Sequence, residues 1–218
     1  MRDQEMAFVG KIAASLTHEI KNTYAIILES SGLLSDLLTF HQEGPFQHKE
    51  KFHQVLGTIN AQVQRGVVLA TRLNQFAHSM DEPLATIKVA DLLELVVALM
   101  RRLARRQNVE LQALAPDDRE ASFSSNFFRV LLVLASLVEA LAEALESGGQ
   151  IILQPVPDTP EVTILCEAQG AKAAGWEARL ENLAASLQDF LAALNAQVAV
   201  SKAPAREGVI LTLKTPAA

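Results

Sequence analysis

Cysteine is almost absent from this chain, since Cys166 is the single one among 218 residues. One thiol excludes an internal disulfide framework, and its place in a predicted strand favours a small buried residue over a redox role. No uninterrupted apolar run approaches the length needed to cross a bilayer, and the N-terminus lacks a signal-peptide profile. We therefore expect a soluble, cytoplasmic protein with no membrane partner.

An excess of positive charge is also missing. The chain has 19 Lys and Arg against 25 Asp and Glu, a net charge of -6 and a pI near 5.4. This balance argues against a general nucleic-acid-binding protein. One local basic cluster, Arg101, Arg102, Arg105 and Arg106, is best interpreted as a solvated helix face. Docking of an acidic partner is the alternative interpretation.

The chain is long enough for two small domains with cores of their own, and its pattern changes near Asp81-Glu82-Pro83. We predict a helical domain over residues 1–82 and a mixed domain over residues 83–218. In the first, one helix runs from about residue 3 to Gln42, the chain turns at Gly44-Pro45, and a second helix runs from His48 to Met80. A two-helix hairpin cannot cover both sides of its apolar seam alone. Pairing with a second copy into a four-helix bundle is therefore predicted, with coverage by the second domain as the alternative.

The second domain has the pattern of a sheet with helices on one face. The predicted strands are Thr86–Val89, Val109–Leu114, Gln150–Gln154, Glu161–Glu167 and a closing hairpin of Gln197–Ser201 and Gly208–Lys214. The predicted helices are Ala90–Arg106, Asn126–Leu145 and Trp176–Leu194.

One histidine stands on an exposed stripe of the first helix. The buried stripe of that helix is predicted from apolar residues at three-and-four spacing: Val9, Ile12, Leu16, Ile20, Ile27 and Leu34. At about 100° per residue, His18 lies roughly 180° from Val9 and Ile27, and Asn22 lies about 40° from His18. Glu19 is close enough to take the proton from one ring nitrogen while the other nitrogen attacks or yields a phosphoryl group.

An ordinary solvated surface histidine is the plain alternative for His18. A zinc protease helix is excluded, because such a helix needs a second histidine where Asn22 stands. The other histidines, His41, His48, His53 and His78, are expected at the surface.

Two segments closely resemble the H-box and first dimerisation helix of two-component sensor histidine kinases. They are Ser15-Leu-Thr-His18-Glu-Ile-Lys-Asn22 and the residues 25–38 that follow it. Residues 60–77 resemble the second dimerisation helix of that family. The resemblance implies that His18 is the phosphoacceptor and that the chain forms a homodimer. The second domain resembles the ATP-binding domain of the same kinases in length and element order.

The nucleotide-binding motifs that the resemblance implies are largely missing. Residues 129–140 contain no asparagine, and Glu139 or Leu137 stands where the family has the essential Asn of its Mg-ATP box. Where the family has Asp-x-Gly-x-Gly, this chain reads Cys166-Glu-Ala-Gln-Gly170-Ala-Lys-Ala-Ala-Gly175. The second glycine-rich box and the lid have no counterpart. We therefore expect no bound cofactor and no metal site, and we expect ATP to bind poorly or not at all.

The fold class implied is α+β: an N-terminal two-helix hairpin forming a dimeric four-helix bundle, followed by a degenerate ATPase-fold α/β sandwich of the histidine-kinase type. This arrangement looks like that of the kinase-derived histidine phosphotransferases. Such a protein accepts and donates phosphoryl groups at His18, and its partners are the receiver domains of response regulators, which supply the Mg. Two alternatives stay open: a divergent ATP-dependent kinase and a non-catalytic pseudokinase interaction module.

The resemblance also suggests a role for each residue around His18. Glu19 keeps the imidazole in its nucleophilic tautomer, while Asn22 supports hydrolysis of the regulator's phosphate. Lys21 balances charge nearby, and the receiver docks near Thr17 to Thr23.

Overall fold

The structure is a computed structural model and describes residues 1–40, 48–114, 121–146, 148–157, 161–203 and 206–214. Val9–Gln75 form one compact unit, and Met1–Phe8 with Phe76–Ala218 form the other. The predicted turn at Gly44-Pro45 and the predicted helix end at Gln42 lie outside the described residues. The division into domains 1–82 and 83–218 stays a prediction. In the described ranges, no helix is both long and apolar enough to span a membrane.

The first unit is a hairpin of two antiparallel helices, α1 (Arg2–Thr39) and α2 (Lys49–His78). Of the predicted apolar seam of α1, Ile12 and Leu16 are buried at 0% and 1% exposure, and Val9, Ile20, Ile27 and Leu34 are half-buried. The helices approach closely at Gly66, where an added Cβ would lie 3.6 Å from Cγ2 of Thr23. Small residues at such a point let two helix backbones come close without opening a gap.

The α/β unit is built around a mixed sheet. Within the described ranges the strand order is β2-β4-β5-β7-β6, with β2 and β4 parallel and every other neighbouring pair antiparallel. These strands are β2 Glu110–Ala113, β4 Gln150–Pro155, β5 Val162–Gln169, β6 Ala196–Ala203 and β7 Arg206–Leu213. The predicted strands are confirmed with small shifts of their ends.

The helices of this unit form one layer against the sheet. They are α3 Val89–Arg106, α4 Phe127–Ala144, α5 Trp176–Ser186 and α6 Gln188–Ala193. Helix α4 contacts α3, α5, β4, β5 and β7, so it is the centre of the layer. It begins at Asn126, whose side-chain oxygen accepts a hydrogen bond from the backbone N–H of Arg129 at 2.9 Å. The predicted sheet with helices on one face is confirmed.

Two elements differ from the sequence-based expectation. A short strand, β3 (Ser122–Ser125), pairs with β1 (Ala85–Lys88) outside the main sheet. Its three serines give no apolar alternation, so the strand depends on its pairing with β1. The single helix predicted over Trp176–Leu194 is wrong, because the chain leaves helical geometry at Leu187 (φ -95°, ψ 5°) between α5 and α6. The break allows Leu180 and Phe190, both 0% exposed, to enter the core from two helices.

The ends of both hairpin helices belong to the core of the α/β unit. Phe8 of α1, Phe76 of α2 and Phe128 of α4 form a cluster with ring centroids 5.7, 5.8 and 6.2 Å apart. Arg129 adds an ion pair to Glu5 at 3.3 Å. Rings at these separations contribute beyond the area they bury. The cluster explains why the first residues of α1 and the last residues of α2 belong to the α/β unit.

Cys166 is buried in β5, as its place in the sequence predicted, and burial raises the pKa of its thiol from 9.0 to about 12. Between these pH values the unfolded chain binds fewer protons than the folded protein, so the free energy of unfolding falls as pH rises. We expect Cys166→Ala to remove this contribution, which amounts to at most about 1.4 kcal/mol per pH unit. Denaturant titrations across the alkaline range check this. Parallel pH curves for the two proteins would contradict the prediction.

Candidate functional site

His18 lies on the water-facing side of α1. Its helical neighbours Ala14, Lys21 and Asn22 are exposed with it, while Ile12 and Leu16 point into the hairpin seam. The predicted exposure of His18 and Asn22 is therefore confirmed. Their chemical roles stay predictions. A histidine in this position presents its ring to solvent without any opening of the fold.

Glu19 is held by a residue that sequence reasoning did not identify. Arg65 of α2 donates a hydrogen bond from Nη2 to Oε2 of Glu19 at 3.2 Å. The side chain of Glu19 is 16% exposed and that of Arg65 is 52% exposed. On the backbone side, the Thr23 hydroxyl donates to the carbonyl oxygen of Glu19 at 3.0 Å. Glu19 is thus fixed at a defined position beside His18.

His18, Asn22 and Arg65 share one side of the hairpin. At about 100° per residue, His18 and Asn22 lie roughly 120° and 80° from Ile12, in the same rotational sense. Arg65 lies about 80° from the seam residue Val55 in that same sense. The two helices are antiparallel and face each other through their seams. Side chains that are rotated from the seam in the same sense, viewed along each chain, therefore lie on the same side of the hairpin. We call this side, defined by His18, Asn22 and Arg65, the histidine flank.

The opposite side of the hairpin carries a group of exposed apolar side chains. Five side chains define this apolar flank, and they are between 37% and 76% exposed: Tyr24 and Leu28 of α1, and Leu56, Val63 and Val67 of α2. Helical geometry rotates all five away from the seam in the sense opposite to His18. Contiguous exposed apolar side chains on two adjacent helices are typical of an interaction surface.

The α/β unit places alanine where the Asp of Asp-x-Gly-x-Gly is expected. Successive side chains of a strand alternate between faces. One face of β5 carries Ile164, Cys166 and Ala168, at 0%, 0% and 3% exposure, beneath the helix layer. With Gly170 as the first glycine of the motif, Ala168 stands at the aspartate position. A methyl group cannot accept the hydrogen bond of an adenine amino group.

Glu167, the nearest acid in the sequence, faces the other side of the sheet. Its carboxylate oxygens accept hydrogen bonds from the side-chain amides of Gln154 at 2.8 Å and Gln169 at 2.6 Å. These amides satisfy a carboxylate that is only 8% exposed. Glu167 is therefore directed away from the helix layer and cannot replace the missing aspartate.

The second glycine position of the same motif is occupied by Lys172, whose side chain is 11% exposed. Its Nζ lies 2.6 Å from Oε2 of Glu207 and 5.4 Å from the ring centroid of Trp176. Its backbone pairs with Leu145 just after α4. Side chains with fixed partners thus occupy the segment that in the family approaches the nucleotide.

Helix α4 carries no amide at the position of the essential Asn. Leu137 is fully buried and Glu139 is half-buried, and these are the two residues that the sequence placed there. In the part of the chain that the structure describes, no group of three or more His, Cys, Asp and Glu side chains is arranged to hold a metal ion.

No protein-family model matches the chain, and no curated protein matches it in sequence. Solved structures do match. The catalytic domain of histidine kinase ThkA has 13% identity and a TM-score of 0.51, over 62% of this chain and 97% of that one. The Acinetobacter baumannii histidine kinase AdeS has 11% identity and a TM-score of 0.48, over 91% and 98%. A histidine kinase from Burkholderia phymatum has 16% identity and a TM-score of 0.47, over 94% and 99%.

The likeness to the ThkA domain shows the fold. This chain has a histidine-kinase-like fold, in which the helical hairpin precedes an α/β domain of the ATPase type.

Proposed function

We propose that this protein is a histidine phosphotransferase of two-component signalling, with His18 as the phosphoacceptor and receiver domains of response regulators as its partners. The observation that carries the proposal is the exposed His18 on a helical hairpin that precedes a histidine-kinase-like domain. The same proposal places this reaction in the cytoplasm.

The proposed step moves one phosphoryl group from an aspartyl phosphate to His18. The imidazole nitrogen forms the N–P bond as the P–O bond to the receiver's aspartate breaks, and the aspartate leaves as a carboxylate. The reverse step passes the group to another receiver. Such transfers need positioning and charge stabilisation more than covalent help from the protein. In this proposal Asn22 orients a phosphoryl oxygen or a water, and Lys21 adds positive charge on the same helix turn.

The α/β domain supports a transferase over an ATP-dependent kinase. Ala168 gives no carboxylate for adenine, Leu137 and Glu139 give no amide for a metal-bound nucleotide, and Lys172 is engaged by Glu207. A phosphoryl group that does not come from ATP needs another donor, and the aspartyl phosphate of a receiver domain is the donor in this proposal.

Transfer from labelled donors tests the proposal. The purified protein is incubated either with γ-labelled ATP and Mg or with a panel of receiver domains carrying labelled aspartyl phosphate. We expect acid-labile, base-stable label from at least one receiver and none from ATP. Label from ATP would favour the divergent kinase, and stable complexes without transfer would favour the interaction module.

We also propose that the apolar flank is the homodimer interface, which completes a four-helix bundle. Exposure of these apolar side chains to water is unfavourable. A second copy of the chain carries the same apolar surface, so the two surfaces can cover each other. His18 lies on the other flank and stays accessible in such a dimer.

A neighbouring pair of valines tests the dimer. Val67 and Val68 are 56% and 55% exposed, but only Val67 lies on the apolar flank. We expect Val67→Glu to be monomeric at micromolar concentration, because dimerisation would bury its charge, while Val68→Glu stays dimeric. Light scattering coupled to gel filtration measures both. Equal behaviour of the two variants would show that this flank is not the interface.

A further inference from the structure

The carboxylate of Glu19 creates a problem for an anion that approaches His18. Glu19 follows His18 directly on α1, and its side chain is only 16% exposed, so water screens its charge incompletely. A phosphoryl donor is itself anionic. An uncompensated carboxylate at this position therefore repels the group that the histidine has to receive.

Arg65 meets this requirement from the second helix. Its guanidinium lies 3.2 Å from Glu19 on the histidine flank, and half of its side chain faces water. An ion pair this exposed contributes little to folding. The pair therefore has a small structural role.

We propose that Arg65 is a positioning residue for phosphoryl transfer at His18. It holds the Glu19 carboxylate toward α2 and away from the approach to the ring, so that an anionic phosphoryl group reaches the imidazole. The assignment rests on the proposed role of His18 as phosphoacceptor. The predicted effect of Arg65 on the reaction of His18 with an anion can nevertheless be tested without any partner protein.

Two small reagents distinguish an electrostatic effect on the reactivity of His18 from a change in the accessibility of its ring. Phosphoramidate, an anion at neutral pH, phosphorylates histidine: the imidazole forms an N–P bond, the P–N bond of the reagent breaks, and ammonia leaves with the displaced proton. Diethyl pyrocarbonate is neutral and acylates the same ring with release of ethanol and carbon dioxide. Mass spectrometry of the His18 peptide gives both rates. The exposed His53 on α2 is an internal reference in the same molecule.

The expected result is a selective loss of reactivity toward the anion. Arg65→Gln should slow the phosphoramidate reaction of His18 at least about fourfold at low salt, the effect of a unit negative charge about 5 Å from the reacting anion in bulk water. The diethyl pyrocarbonate rate should stay the same. Arg65→Lys should retain most of the wild-type rate, and molar salt should remove the difference between variants.

A second substitution tests whether Arg65 acts through Glu19. In a Glu19→Gln background, Arg65→Gln should change the phosphoramidate rate less than 1.5-fold, because no carboxylate is left that the loss of Arg65 could release toward His18. An equal loss in both backgrounds would mean that Arg65 acts on the anion directly, and this overturns the proposal. Equal slowing by both reagents, or no slowing, would also overturn it.

The same variants distinguish this inference from the proposed function. If wild-type protein takes no label from any receiver but Arg65→Gln still reacts selectively slowly with phosphoramidate, the transferase assignment fails and the role of Arg65 stands. If receivers transfer to wild type and to Arg65→Gln equally well, and anion selectivity is unchanged, the role of Arg65 fails and the transferase assignment stands.

Discussion

His18→Gln is expected to lower phosphoryl acceptance from a labelled receiver at least about a thousandfold, the scale on which loss of a nucleophile acts. Glutamine has similar size and polarity, but its amide nitrogen is not nucleophilic. His18 is exposed, so the free energy of unfolding should change by less than about 0.5 kcal/mol. Label transfer measures the first effect, and denaturant titration of the same preparation measures the second.

Two other exposed histidines are matched controls. His53 lies on α2, and His78, at the end of α2, contacts Asp81 at 2.6 Å. Substitution of either by Gln should leave acceptance within about twofold, because surface changes away from a site have small effects. Retained label in His18→Gln, or its loss in a control variant, would refute His18 as the phosphoacceptor.

Gly208→Ala is expected to destabilise the α/β domain by about 3 kcal/mol, near the upper end for a clash that a packed core cannot relieve. An alanine Cβ at this position would lie 2.1 Å from the backbone oxygen of Cys166 on the neighbouring strand. Gly208 pairs with Glu167 as the last pair of the ladder between the neighbouring strands β5 and β7, so relief of the clash opens the end of this ladder. Urea denaturation monitored by circular dichroism measures the loss.

Gly57 supplies the contrasting substitution. It lies in α2 with no atom within 4 Å of a built Cβ. Gly57→Ala should therefore stabilise the protein, by up to about 1 kcal/mol, because glycine is a poor helix former. If Gly208→Ala were as stable as wild type, the close approach of β5 and β7 would be wrong.

Local periodicity was sufficient for the helical hairpin and for the exposure of His18. A helix fixes the direction of each side chain within a few residues, so apolar residues at three-and-four spacing identify the buried side. The same reasoning found α3 and α4. It missed β3, whose serines become a strand only through pairing with β1, and it joined α5 and α6, which separate at Leu187 to fill a core.

The register of β5 decides which of its side chains face the helix layer, and a motif comparison does not contain this information. In the sequence, Glu167 and Ala168 are adjacent, and either can be set against a missing aspartate. In the sheet they point to opposite faces, with Ala168 beneath the helices and Glu167 held by Gln154 and Gln169. A shift of one residue exchanges the faces, so only the strand pairing decides which side chain faces the helix layer.

The sequence by itself determined the helices α1 to α4, the exposure of His18 and Asn22, and the loss of the nucleotide motifs, because these depend on residues close together in the chain. The tertiary structure alone decided that Arg65 pairs with Glu19, and that Ala168 rather than Glu167 faces the helices. Arg65 and Glu19 are 46 positions apart, and no local pattern connects them. Only the packing of two antiparallel helices through their seams brings the guanidinium beside the carboxylate.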